Sequence, residues 1–288
     1  MWRQPALVTF YRYVRSYYPW PSGTATTWRD ARFFHDLVRR VRPECVVTQF
    51  SAITVSTLGS ALAGVPCRVA WYRTVSEANL ADDRDSRLMK RVKHARRRFR
   101  YGLATHVVAN SEAAARDAQA AYGVAPNKTS VLYNLIPDPG LAPRPRHRHR
   151  LISVGRFSAS KNQRVLIEAL PLLRRHIPEV HADFYGRGPL KEECEALAER
   201  LGVADACTFH NYAALPRVME ALAQASVCVM TSRYEAFGYV GAEAQAVGTP
   251  VVAAAAGGIP EVVRDGETGF LVPPEDAAAL AEKIRVLL

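Results

Sequence analysis

No stretch of this 288-residue chain stays apolar for the roughly 18 positions that a membrane-spanning helix needs, so none is expected. The opening MWRQPALVTFYRY carries aromatics and arginines. It lacks a separate apolar core followed by a small-residue cleavage site, which argues against a secretory leader. Cysteine is scarce. The five residues, at 45, 67, 194, 207 and 228, are odd in number and show no CxxC or Cys/His ligand spacing. That excludes a disulfide scaffold or a thiolate metal site and leaves reduced, mostly buried thiols in a cytoplasmic protein. No paired-aspartate loop sits in a suitable place either. The nearest acidic group, Asp82, Asp83 and Asp85 around Arg84, reads as a solvated polar turn far from the motifs described below. Glycine is late to appear, the first being Gly23.

What is present is an ordinary globular composition, 49% hydrophobic and 23% charged, in a chain long enough for two domains. The charge is unevenly spread. Residues 1–150 hold 25 Lys and Arg against 10 Asp and Glu, a net of +15. Residues 151–288 hold 13 against 17, a net of −4, which together give the overall +11. A field of that size attracts anionic lipid head groups or phosphorylated acceptors, unless the basic face serves only solubility. No nucleic-acid motif accompanies it, so nucleic acid is not an expected partner.

Apolar strand-like runs alternate with helical patterns. ECVVTQF (44–50), CRVAWYR, THVVANS (105–111) and TSVLYN read as strands. SAITVSTLGSALAG ends as a helix at Gly64 before Val65-Pro66, and EAAARDAQAAYG reads as a helix with Ser111 as its N-cap. Nearly continuous apolar strands separated by helices imply a parallel sheet covered on both faces. PDPGLAPRPRHRHR then brings four prolines without periodicity, and the rhythm restarts at LISVGRF. The division is therefore 1–137 as a first α/β domain, 138–150 as a linker and 151–288 as a second domain. In RLMKRVKHARRRFRYGL, Leu88, Val92, Ala95, Phe99 and Leu103 form one apolar stripe at helical spacing; the stripe is expected to pack on the sheet with the cations in water. His106, inside the third strand, is expected to be buried and structural.

In EAFGYVGAE, Glu235 and Glu243 stand eight positions apart around a glycine-containing turn that feeds a helix. Unpaired N–H groups and the dipole make such a turn an anion site. Two carboxylates would repel a phosphate but suit hydroxyl-rich neighbours on either side of one. By itself the pair reads more readily as ordinary helix-flank carboxylates.

The motifs in sequence are SVGRFSASKNQ, FYGRGPL, FHNY, VMTSRYEAFGYVGAEAQAVGTPVVAAAAGGIPEVV and DGETGFLVPPED. In this order and spacing they resemble the donor half of retaining glycosyltransferases of family 4, closely over about 150–288 and loosely over 30–137. The resemblance implies an α/β GT-B fold, two Rossmann-like domains with a donor cleft between them. It also implies transfer of a sugar from a nucleotide-sugar donor, UDP- or GDP-linked, to a hydroxyl of a glycan, glycolipid or lipid-linked precursor. Retention would come from front-face attack, with the leaving phosphate taking the acceptor's proton, without metal or resident cofactor. Arg156 and Lys161 match the positions that neutralise the diphosphate, and Gly155 lets the backbone approach. Glu235 would bind sugar hydroxyls, with Arg156 and Lys161 completing the catalytic set. Ala236, Phe237 and Gly238 would offer backbone N–H groups, and Glu243 would accept from the ribose diol. The GRGP turn (186–189, with Gly188) and Asn211-Tyr212 fall where the family places the base. GGIPE (257–261) lies near the same cleft or serves as a capping turn.

The chain departs from the pattern as well. It opens without the family's first strand and glycine loop, so the N-terminal domain is expected to be incomplete at its start and activity to suffer. Arg73-Thr74 stands where an acceptor-side histidine is common. Two alternatives follow, a non-catalytic nucleotide-sugar-binding subunit that needs a partner and a GT-B epimerase. The expected setting is the cytoplasm, peripheral on an anionic membrane face.

Overall fold

The structure, a computed structural model, describes residues 18–22, 27–83, 85–140 and 145–288. The opening MWRQPALVTF, to which the expectation of an incomplete first domain belongs, lies outside them. The described chain forms two separate parallel sheets. The first contains β1 (Cys45–Thr48), β2 (Cys67–Tyr72), β3 (His106–Ala109) and β4 (Thr129–Val131), in that spatial order. Around it run α1 (Trp28–Val41), α2 (Ile53–Leu62), α3 (Ser76–Ala81), α4 (Arg87–Leu103) and α5 (Glu112–Tyr122). Local chemistry sets the ends of these helices. Thr27 and Asp30 form a reciprocal capping box on α1, and Ser111 Oγ accepts from Ala114 N at 2.9 Å to start α5.

The second sheet opens with β5 (Arg150–Val154) and adds β6 (His181–Tyr185), β7 (Cys207–His210), β8 (Val227–Met230), β9 (Val251–Ala254) and β10 (Gly269–Val272). Its helices are α6 (Arg164–Arg174), α7 (Lys191–Arg200), α8 (Leu215–Gln224), α9 (Tyr239–Ala246) and α10 (Ala277–Leu287). The strand order is β10-β9-β8-β5-β6-β7, all parallel. Every residue of β8 and β9 is buried, as strands covered on both faces require. Leu151, Leu166, Leu170, Phe184 and Ile284 anchor the larger core. The direction of winding reverses between the neighbours β5 and β8. In an open α/β sheet, the crevice beyond the carboxyl ends of such a pair is where ligands bind.

Two expectations fail in the first domain. The stripe of α4 does not pack on the sheet: Leu88, Val92, Ala95 and Phe99 are exposed, and Tyr101 is the helix's buried residue. The inner face is instead aromatic and polar. Tyr101 sits 5.3 Å from both Tyr72 and Tyr122, His94 lies 5.2 Å from Tyr122, and Arg97 donates to Asn79 Oδ1 at 3.4 Å. An aromatic cluster with its own polar partners occupies the place an aliphatic stripe would take. His106 is exposed rather than buried, because it opens β3 at the strand's solvent end.

Candidate functional site

The loop after β5 carries Gly155, Arg156 and Lys161; the loop after β8 carries Glu235 through Gly238. These are the loops of the two strands at the reversal point. They are bonded together: Arg233 N donates to Ser160 O at 2.8 Å, and Thr231 Oγ1 donates to Lys161 O at 3.0 Å. A Lys161–Glu235 ion pair closes the contact, and Ser232 Oγ donates to the same Glu235 oxygen at 3.4 Å. Two glycines are required by close approach. A Cβ at Gly188 would lie 2.1 Å from Phe157 O, fixing the GRGP turn on the β5 loop. Gly257, at φ +53°, would place a Cβ 2.0 Å from Glu235 O, so GGIPE packs backbone to backbone on the Glu235 loop.

A cavity of about 460 Å³ beside α9 and β10 has no loop from the reversal point. A larger one, about 590 Å³, lies between the two domains. Arg156, Ser160, Lys161, Glu235 and Ala236 form one wall of the larger cavity, and Arg73, Thr74, Asn79, Asp82 and Asp83 the other. The structure thus brings Arg156, Lys161 and Glu235 together. Arg156 is exposed and makes no hydrogen bond or ion pair through its guanidinium to the described residues. Lys161 is held by Glu235, so the carboxylate positions the ammonium on the cavity wall.

Other predicted residues stand apart from that wall. Phe237 is buried between Tyr133 and Tyr239, ring centroids at 6.4 and 5.4 Å. Gly238 takes φ +100° at the N-cap of α9, which turns the chain into the helix. Glu243, on α9, is half-buried without a hydrogen bond or ion pair among the described residues, and burial raises its carboxyl above the ordinary value. Asn211 accepts from Lys191 Nζ at 3.2 Å, and Arg187 lies 6.0 Å from the exposed Tyr212 ring, at the carboxyl ends of β6 and β7. Gly188, Asn211, Tyr212 and Glu243 do not line the interdomain cavity. Among the described residues no group of three His, Cys, Asp or Glu is placed to hold a metal ion.

The sequence reading missed the domain junction. Asp82 is not a remote solvated turn: its carboxylate accepts from Ser160 N at 2.9 Å and Ser160 Oγ at 2.8 Å, one residue before Lys161. Ser111 Oγ donates to Ala236 O at 2.5 Å, and Ala236 packs into the first domain's core. Glu261 of GGIPE caps α5 of the other domain, accepting from Glu112 N and Ala113 N at 2.8 Å each and from Tyr133 Oη at 3.1 Å. Arg73, in the place of the expected histidine, donates to Tyr239 Oη at 2.6 Å and to Gln49 Oε1 at 3.3 Å. Of these, only the capping role of GGIPE had a sequence signal, and its partner lies about 150 residues away, in the other domain.

Two parallel-sheet α/β domains with the loops of a reversal point facing an interdomain cavity define a GT-B glycosyltransferase fold. The chain belongs to the glycosyl transferases group 1 family, whose profile matches residues 142–288; the Glycosyltransferase Family 4 profile matches 2–138. It is 41% identical over 140 residues to a D-inositol 3-phosphate glycosyltransferase of Streptomyces avermitilis, covering 46% of this chain and 30% of that protein. It is 36% identical to a GDP-mannose-dependent alpha-(1-6)-phosphatidylinositol monomannoside mannosyltransferase of Mycolicibacterium smegmatis, covering 53% of this chain and 43% of that one. The matches thus span under half of these relatives' length. Anabaena HepE in complex with UDP-glucose superposes with a TM-score of 0.72 at 25% identity, covering 90% of this chain and 72% of that chain.

Proposed function

We propose that the chain is a retaining glycosyltransferase that moves a sugar from a UDP- or GDP-linked donor to a hydroxyl of a glycan, glycolipid or lipid-linked precursor. The observation that carries this reading is the convergence of Arg156, Lys161 and Glu235 on one wall of the interdomain cavity. Arg156 and Lys161 neutralise the diphosphate as the glycosidic bond to it breaks and its charge grows, with the amino end of α9 assisting. These groups supply the charge stabilisation without a resident cofactor. Glu235 faces the sugar ring, orients its hydroxyls and offsets the positive charge that develops there. The acceptor oxygen attacks from the face the phosphate is leaving, and that phosphate takes the acceptor's proton, so configuration is retained. Glu243 receives the ribose hydroxyls, and Gly188, Asn211 and Tyr212 lie toward the base. HepE, whose structures hold UDP and UDP-glucose, supports the donor class.

We further place the enzyme in the cytoplasm, at an anionic membrane face, on the +15 of residues 1–150. No helix among the described residues is long and apolar enough to cross a membrane. A thermal-shift panel of UDP- and GDP-sugars tests the donor assignment, since a ligand at 100 times its Kd adds about 2.7 kcal/mol of stability. Anomer-resolved product analysis tests the rest. Transfer with retention is expected; binding without turnover means a non-catalytic subunit, and release of an altered nucleotide sugar means an epimerase.

A further inference from the structure

Helix α4 is turned with its apolar side outward. Leu88, Val92 and Phe99 are 72%, 54% and 57% exposed, and Met89 is 48% exposed beside them. At about 100° per residue, Leu88, Val92, Ala95 and Phe99 fall within one narrow arc. Arg91 and Arg98 run along one flank and Arg96 along the other, all three exposed. The opposite side is tied to the domain: Lys93 pairs with Asp83 at 2.8 Å, Arg97 bonds Asn79, and Tyr101 enters the aromatic cluster. Eight of the helix's 17 residues are Arg or Lys and none is Asp or Glu.

We infer that α4 is the surface by which the protein docks on an anionic bilayer. Leu88, Val92, Ala95 and Phe99 enter the headgroup–acyl boundary, and Arg91, Arg96 and Arg98 bind lipid phosphates. This rests on the lipid-surface reading above and gives it a place in the fold. An apolar ridge between rows of cations fits an interface that is greasy below and negatively charged above. A second copy of the same helix would bring like charges together. A nucleic acid would have no use for the ridge. The side chains concerned are exposed, so replacing them leaves the core intact.

The test is co-sedimentation of the full chain with vesicles of mixed phosphatidylglycerol and phosphatidylcholine, against phosphatidylcholine alone. Wild type is expected to prefer the anionic vesicles and to lose most, not all, of its binding as salt rises, the remainder belonging to the ridge. V92S/F99S and R91E/R96E should each partition about tenfold or more weakly, with nucleotide thermal shifts unchanged. If wild type binds and both variants bind equally well, another surface docks and the α4 assignment falls, while the membrane reading stands. If wild type binds neither vesicle, both fall. A concentration-dependent dimer that V92S/F99S abolishes, without vesicle binding, would assign the ridge to a second copy and overturn the proposal.

Discussion

Asp82 of the first domain holds Ser160 of the second by two hydrogen bonds, 2.9 Å to the backbone nitrogen and 2.8 Å to the hydroxyl. The next residue is Lys161. A carboxylate in one domain thereby fixes the loop that presents a cation from the other on the wall of the interdomain cavity. Asp82→Ala is expected to cost about 1 kcal/mol of donor affinity, roughly fivefold, because a hydrogen bond to a charged group is worth about 1.5–3 kcal/mol and only part of that loss reaches the donor through the loop. Titration calorimetry with the nucleoside diphosphate checks it. Unchanged affinity would mean the loop holds its shape without Asp82.

Lys161→Ala separates phosphate binding from base and ribose binding. The ammonium is held in the cavity by Glu235. Its loss should weaken the nucleoside diphosphate by about tenfold or more, as for a charge-assisted contact, and leave the nucleoside nearly unaffected. Equal weakening of both ligands would remove Lys161 from the phosphate site.

The parts of this arrangement differ in how legible they were. Apolar runs such as VCVM and VVAA announce buried parallel strands, because a strand covered on both faces has no polar side. The Arg156, Lys161 and Glu235 segments were legible as motifs, and the order β8-β5 explains why loops 70 residues apart meet. Asp82–Ser160 and Glu261–Glu112 were not legible, since the pairing of two domains leaves no local period or spacing. The α4 stripe was misassigned for a related reason. Helical periodicity reports that an apolar face exists, and only the partner, here the Tyr72, Tyr101 and Tyr122 cluster, decides which face turns inward.

Glu243 gives a pH dependence. Burial raises its carboxyl in the free protein. In the proposed complex the ribose hydroxyls would donate to the ionised form, so binding them would lower that value again. Affinity due to the ribose contact should therefore rise as pH climbs through the raised value and fall below it. The phosphates titrate as well, so the quantity to follow is the affinity ratio of UDP to 2′-deoxy-UDP, in which their contribution cancels. The ratio should increase with pH in wild type and stay flat in Glu243→Gln. A flat wild-type profile would place the ribose elsewhere.

The thiols are not mostly buried, contrary to expectation: Cys194 and Cys228 are buried, Cys67 and Cys207 half-buried and Cys45 exposed. Cys45 and Cys67 face each other in register on β1 and β2 with sulfurs 2.9 Å apart, Cys45 exposed. Neighbouring strands lie about 4.8 Å apart, inside the Cα range a disulfide spans. Burial pushes Cys194 up to about 11 and Cys207 and Cys228 up to about 12, which keeps them unreactive. Mild oxidation should consume two thiols per chain, mapped by peptide mass to Cys45 and Cys67. Loss of any other pair would contradict this.

Glu235→Gln tests the chemistry itself. The carboxylate lies in the cavity wall, mostly shielded, with Lys161 and Ser232 on one of its oxygens. In the proposed reaction the sugar ring gains positive charge as its bond to the diphosphate lengthens. A fixed negative group beside the ring costs no reorganisation at that moment, which is why such groups carry a large share of rate enhancement. Glutamine keeps the shape and part of the hydrogen bonding but removes the charge. The transfer rate should fall by about a hundredfold or more, the usual loss for one preorganised electrostatic group. Affinity for the nucleoside diphosphate should hold or rise, because Lys161 loses its competing carboxylate and turns to the phosphates. A fall in rate without a fall in affinity is the signature, since a residue that merely shaped the loop would lower both. If the glutamine variant keeps most of the wild-type rate, Glu235 only props Lys161, and the sugar-binding role of the Glu235 loop is lost with it.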